Sequence, residues 1–252
     1  MRDGHRYTHV RLSIYPDGGV ARLRVHGEVV PDPRFLGGTI DLAAAENGGQ
    51  VVACSEEYYS PAASLIQPGR ARTMAEGWEN ARRRGGGNDW VIVRLAVPGP
   101  IRYAELDTTC FAGNAPGWAR LSAAPGPGPG GTVPPAGPPA PSAGTWAELL
   151  PRTRLQPDTR HRFLVAAPAP AAFGRLDVYP DGGMARLRLW GEAGPEARRR
   201  AAARWLGTLP AGQATAVLES AGMAPEMAGQ IGAAAAGRWG LLPGGIRAAF
   251  LP

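Results

Sequence analysis

Residues 176–192 read LDVYPDGGMARLRLWGE, and residues 12–28 read LSIYPDGGVARLRVHGE. Twelve of the seventeen positions are identical across a separation of 164 residues, which marks an internal duplication. In the first copy Val10, Leu12 and Ile14 alternate with Arg11, Ser13 and Tyr15, the period-2 pattern of a half-buried strand. Pro16-Asp17-Gly18-Gly19 follows. Pro fixes φ, Asp bonds its own backbone and Gly permits positive φ, so a turn is expected here. Ala21, Leu23 and Val25 then alternate with Arg22 and Arg24. The stretch predicts a β-hairpin with one apolar face and one arginine face. Arg186 and Arg188 repeat that face in the second copy.

Working outward, WVIVRLAV at 90–97 and IRYAELD at 101–107 flank Pro98-Gly99-Pro100 and read as strand, turn, strand. The first run is nearly continuously apolar, as in a central strand of a sandwich. Residues 124–144, APGPGPGGTVPPAGPPAPSAG, hold eight Pro and six Gly, a composition expected to form a disordered loop rather than core. After Glu192 the texture turns Ala-rich, PEARRRAAARWLGTL and AGQATAVLESAG have helical spacing, and Pro195 suits a first helical turn. Short strands joined by Gly/Pro turns predict an all-β jelly-roll β-sandwich with a short α-helical C-terminal tail.

The chain has 252 residues, 44% apolar content and a net charge of +6, and all of its basic residues other than His are Arg. That bias speaks of composition more than of nucleic acid, and no helix-turn-helix, zinc finger or aromatic-interleaved basic stripe is present. Cys54 and Cys110 make neither a disulfide framework nor a zinc site, and His5, His9, His26 and His161 are scattered. No cofactor is evident, although carboxylates remain able to hold a hard divalent cation. The N-terminal MRDGHRYTHVRL has no apolar core for a signal peptide, and no apolar run reaches the roughly 18 residues of a membrane span. A cytoplasmic protein with no nucleic-acid or membrane partner is expected.

Three stretches carry more polar chemistry than loops require. MAEGWENARRRGGGNDW, 74–90, offers Glu76, Trp78, Glu79, Asn80, Arg82, Arg83, Arg84, Asn88, Asp89 and Trp90. Guanidinium groups beside carboxylates bind an anion bidentately and supply an acid or base. The plainer alternative is a surface loop whose charges pair with one another. ELDTTCFAGNAPGW, 105–118, offers Asp107, Thr108 and Asn114 at a strand end, where capping is the competing role. DLAAAENGGQVVACSEEYYS, 41–60, offers Asp41, Asn47, Gly48, Gly49, Ser55 and Glu56. No His falls in these stretches, so no nucleophilic triad is indicated.

These three stretches, with QPGRART, the WAELLP at 146–151 and both YPDGG copies, resemble the allantoicase family over about residues 7–193, and in the same order. The resemblance implies jelly-roll domains of the galactose-binding-like kind, repeated twice per chain. It also implies hydrolysis of allantoate to ureidoglycolate and urea in allantoin and purine catabolism. Expected catalytic residues are Glu76, Asp107, Glu79 and Asp89. Expected substrate-binding residues are Arg82, Arg83, Arg84, Trp78, Asn88, Thr108, Asn114 and Ser55. Because each YPDGG copy closes a repeat in the family, residues 1–28 are expected to be the terminal hairpin of an absent first repeat. Residues 29–193 would be a whole jelly roll and 194–252 a helical tail. A homo-oligomer is expected. The competing expectation is a non-catalytic jelly-roll module that binds a ligand or scaffolds an oligomer.

Overall fold

The structure, a computed structural model, describes residues 4–126, 146–234 and 236–251. Most of the Pro/Gly-rich stretch at 124–144 lies outside the described residues. The chain divides into two compact units, Leu36–Arg198 and Met1–Phe35 with Arg199–Pro252.

Leu36–Arg198 is an antiparallel sandwich of eight strands: β1 (Thr39–Asp41), β2 (Gln50–Cys54), β3 (Asp89–Asp107), β4 (Trp118–Ala124), β5 (Ala147–Arg154), β6 (Arg160–Leu164), β7 (Pro170–Tyr179) and β8 (Arg186–Glu192). The jelly roll expected from the sequence is present. One sheet carries β8 and β6 on β3, with β1 on the far side of β8. The other carries β2 and β7 on β3, then β4 and β5 beyond β7.

Strand β3 belongs to both sheets. Its first half pairs with β2 and β7, and Tyr103–Asp107 pairs with β8 and β6. Pro98-Gly99-Pro100 is therefore not the turn of a hairpin but the point where one continuous strand changes sheets. The β3–β7 register shifts between Arg94 and Gly99, a stretch that includes Pro98, which has no ladder donor. The apolar run before it is central, as expected: Val91, Val93 and Leu95 are buried.

The second YPDGG copy also departs from the hairpin reading. Strands β7 and β8 do not pair with each other. Strand β7 lies between β3 and β4 in one sheet, and β8 between β1 and β3 in the other. The turn at 180–185 is an arch over the sandwich edge, bridged there by Trp78 and Met184. Alternation predicted the buried face correctly, since Leu176, Val178, Leu187 and Leu189 all point into core.

The first copy forms no strand: none occurs among the described residues before Thr39. The peptide before proline is cis in both copies, at Tyr15–Pro16 and Tyr179–Pro180. Residues 4–30 belong with five helices, α1 (Pro195–Thr208), α2 (Ala211–Ser220), α3 (Pro225–Ala233), α4 (Arg238–Leu241) and α5 (Gly244–Ala248). Trp205, Leu206, Leu218, Ile231 and Phe250 form their core, with Val30 packed against it. Buried Arg238 donates to the Leu206 and Leu209 carbonyls, filling acceptors that the end of α1 leaves open. Pro195 opens α1, as its fixed φ predicted.

Candidate functional site

Two polar clusters of the jelly roll flank the Trp78–Met184 bridge. The first is centred on Asp89, the first residue of β3, whose side chain is fully buried. A carboxylate taken out of water needs several donors. Asp89 has them: Ser55 Oγ at 3.1 Å, Asn80 Nδ2 at 3.0 Å, and an ion pair with the Arg83 guanidinium. Ser55 Oγ in turn accepts the Trp90 N–H at 3.0 Å. Neighbouring loops lock in around this centre. Arg83 N–H donates to Asp181 Oδ2 in the arch at 2.6 Å. Ala81 N–H donates to Glu56 Oε1 at 2.5 Å, and Asn114 Nδ2 to Glu79 Oε1 at 2.6 Å. Asn88 Nδ2 reaches Asp177 Oδ1 at 3.0 Å, on a buried carboxylate that also pairs with Arg175 and Arg120.

Not every polar atom here is satisfied. Asn80 Oδ1 and Arg83 Nε are buried without a hydrogen-bond partner. One is an acceptor and the other a donor, and both side chains hold the same carboxylate. Arg82 and Arg84, on either side of Arg83, are exposed.

The second cluster lies where β8 meets the loop at 67–76. Buried Arg186 donates to the carbonyls of Gly69 at 3.1 Å, Glu76 at 2.6 Å and Ala185 at 2.7 Å. Burial, with Arg188 nearby, lowers its pKa from the ordinary guanidinium value, and Glu76 and Asp107 oppose that shift. Arg188 pairs with buried Asp41 at 3.3 Å. Burial pushes the Asp41 carboxyl up, against the Leu189 N–H and Arg188, which pull it down. The Arg72 backbone N–H and guanidinium hold the Glu76 carboxyl below the usual carboxylate range. Asp107 Oδ1 accepts from Thr109 N–H at 2.8 Å and Thr109 Oγ1 at 2.5 Å.

The candidates from the sequence thus divide. Ser55, Glu79, Arg83, Asn88, Asp89 and Asn114 gather in the first cluster, with Arg82 and Arg84 exposed at its edge. Glu76 and Asp107 meet at Arg186 in the second. Trp78 is fully buried, its indole N–H donating to the Glu56 carbonyl at 3.0 Å. Thr108 is buried too, its hydroxyl committed to the carbonyls of Gln156 and Thr159. Sequence reasoning passed over Asp181 and Asp177, and singled out Asn80 and Asp41 only as members of their stretches, with no role. Asp181 had a signal, since it lies in the repeated turn. Among the described residues no group of three or more His, Cys, Asp or Glu side chains is arranged to hold a metal ion.

The sequence matches the family described as "Allantoicase: Allantoicase repeat" over residues 1–30 and 40–194. It is 57% identical over 191 residues to a "Probable allantoicase" of Nocardia farcinica, covering 75% of this chain and 53% of that protein. A "Probable allantoicase" of Streptomyces avermitilis is 48% identical over 202 residues, covering 79% of this chain and 50% of the relative. The crystal structure of allantoicase from Saccharomyces cerevisiae superposes with a TM-score of 0.59 and 31% identity, covering 71% of this chain and 49% of that one. The chain spans about half the length of the curated relatives it matches.

Proposed function

Because the chain belongs to the allantoicase family, we propose that it acts as an allantoicase-like hydrolase, converting allantoate and water to ureidoglycolate and urea. In that reaction the central C–N bond of allantoate breaks and a C–O bond to water forms. One proton leaves the water and one arrives on the departing nitrogen. Allantoate is an anion with two ureido arms. Exposed Arg82 and Arg84 suit its carboxylate. Asp89, bonded by Ser55 and Asn80, holds Arg83 in place between them. Glu79, oriented by Asn114, stands next to them as a proton carrier.

Glu76 is ionised at neutral pH, because Arg72 stabilises its charged form. It suits a base that takes a proton from water, with Asp107 the second carboxyl beside Arg186. No helix among the described residues is long and apolar enough to cross a membrane. A cytoplasmic homo-oligomer working in purine-nitrogen breakdown fits this reading.

Family membership carries the assignment, and the exposed guanidinium groups of Arg82 and Arg84 beside the Asp89 cluster suit an anionic substrate. The test is urea release from allantoate by the purified full chain. Replacing Arg82 and Arg84 together by Gln is expected to raise KM at least tenfold, and Glu79→Gln to lower kcat. Glu76→Gln and Asp107→Asn separate the clusters, because wild-type rates in both would remove the second one from the chemistry.

A further inference from the structure

We propose that Tyr58 and Tyr59 form an aromatic wall that receives one ureido arm of the substrate. The proposal rests on the hydrolase reading above and deepens it, since it names the residues that meet the neutral part of an otherwise anionic molecule. Tyr58 and Tyr59 are 69% and 66% exposed. They stand side by side in the stretch Glu56-Glu57-Tyr58-Tyr59-Ser60, where every other side chain has a structural task.

Those tasks staple the stretch to residues 78–81. The Glu56 carbonyl accepts the Trp78 indole N–H at 3.0 Å, and Glu56 Oε1 accepts the Ala81 N–H at 2.5 Å. Glu57 Oε1 accepts the N–H of Ala62 at 2.8 Å, where the short 3-10 helix Ala62–Ile66 begins. The backbone N–H groups of Tyr59 and Ser60 donate to the Glu79 carbonyl at 3.1 Å and 3.4 Å. Buried Ser60 completes the staple, its Oγ accepting the Glu79 N–H at 2.8 Å. The two tyrosine rings are left outside this scheme. A backbone fixed on both sides of two rings that stand in water is the arrangement of a contact surface, because tyrosine offers a large rigid area with few torsions to freeze.

The rings lie 4.7 Å apart with their planes at 85°, edge to face. In that geometry each ring supports the other, and the ring that presents its edge keeps its own faces open. An aromatic face is electron-rich and its rim electron-poor. A carboxylate is therefore repelled by the face and goes to guanidinium groups. A ureido group carries no net charge, is planar, and has N–H bonds that can point at the face. The site divides its substrate accordingly, with Arg82 and Arg84 for the charged end and the tyrosine pair for a neutral arm. Glu79, the proton carrier of the first cluster, is joined to both. Its backbone is bonded to Tyr59 and Ser60, and a short run of chain leads from it to Arg82.

Steady-state urea release from allantoate by the full chain tests the wall. The double variant Tyr58→Ala, Tyr59→Ala should raise KM about fivefold and leave kcat within about twofold. The double variant Tyr58→Phe, Tyr59→Phe should restore the wild-type KM, because it keeps the faces and removes only the hydroxyls. Thermal midpoints should be the same in all three proteins, since exposed rings carry little of the fold. A wild-type KM in the Ala variant would overturn the proposal and leave the hydrolase reading intact. A Phe variant as impaired as the Ala variant would overturn it too, because the substrate would then be meeting hydroxyls and not faces. If the purified chain releases no urea, the hydrolase reading fails by itself and calorimetry with allantoate decides the wall. A Kd about fivefold weaker in the Ala variant would support it, whereas an unchanged Kd, or no binding to the wild type, would overturn it.

Discussion

Residues 12–28 and 176–192 share twelve of seventeen residues and end in opposite conditions. The second copy supplies an interior strand to each sheet of a sandwich and is buried nearly throughout, whereas the first forms no strand and lies in solvent. Local propensity is the same in both, and so is the turn, down to the cis peptide before proline. What differs is the set of neighbouring strands. A β-strand is stabilised by cross-strand pairs and by burial of one face, neither of which its own sequence contains.

Paired substitutions sharpen the comparison, and the largest contrast is expected in the apolar core. Leu176→Ala should cost about 2–5 kcal/mol in chemical denaturation, because it empties a fully buried site. Leu12→Ala, at the matching exposed site, should stay within about 0.5 kcal/mol. Next come the glycines. Gly183→Ala forces a methyl into the Phe111 ring and should cost about 1–3 kcal/mol. Gly19→Ala meets open space and should change stability by less than about 0.5 kcal/mol. Equal losses in the two members of either pair would break the contrast.

A smaller effect is expected from making the second copy resemble the first. Asp177→Ser removes the acceptor shared by Arg175, Arg120 and Asn88, at a cost of about 1–2 kcal/mol, since both arginines retain some contact with water. The smallest effect is a pH dependence. Burial raises the Asp41 carboxyl above its unfolded value of 3.8. The folded state therefore keeps that proton to higher pH than the unfolded chain does. Its contribution to stability is full below 3.8 and is lost as pH rises through the raised folded value. Asp41→Asn should flatten this slope in denaturation curves across the acid range, while Arg24→Gln in the first copy should leave it unchanged.

Much of the sandwich was legible because strand patterning is local. The apolar run at 90–97 reads as central and is central, and the alternation in 186–191 names the buried face correctly. Pairing was not legible. Pro98-Gly99-Pro100 and the YPDGG arch both read as hairpin turns, because turn residues signal a change of direction and not the sheet that the next strand joins. The exposure of residues 12–28 was hidden for the same reason. In the site, Arg83, Asp89 and Asn88 stood out as charged or amide residues around a Gly-rich loop. Asp177 and Asp181 did not, since their partners lie far away in sequence, as with Asp181 and Arg83. The arginine face of β8 was expected as a face and proved to be a set of donors to a crossing loop.

The measurement that tests the contrast most directly is hydrogen exchange on the purified full chain, which reads both copies in one sample. Amides in the ladders of 187–191 should exchange only through substantial opening of the sandwich, at least a hundredfold more slowly than those of 23–27. Comparable protection in the two segments would contradict the account, because it would mean that the first copy already has its strand partners.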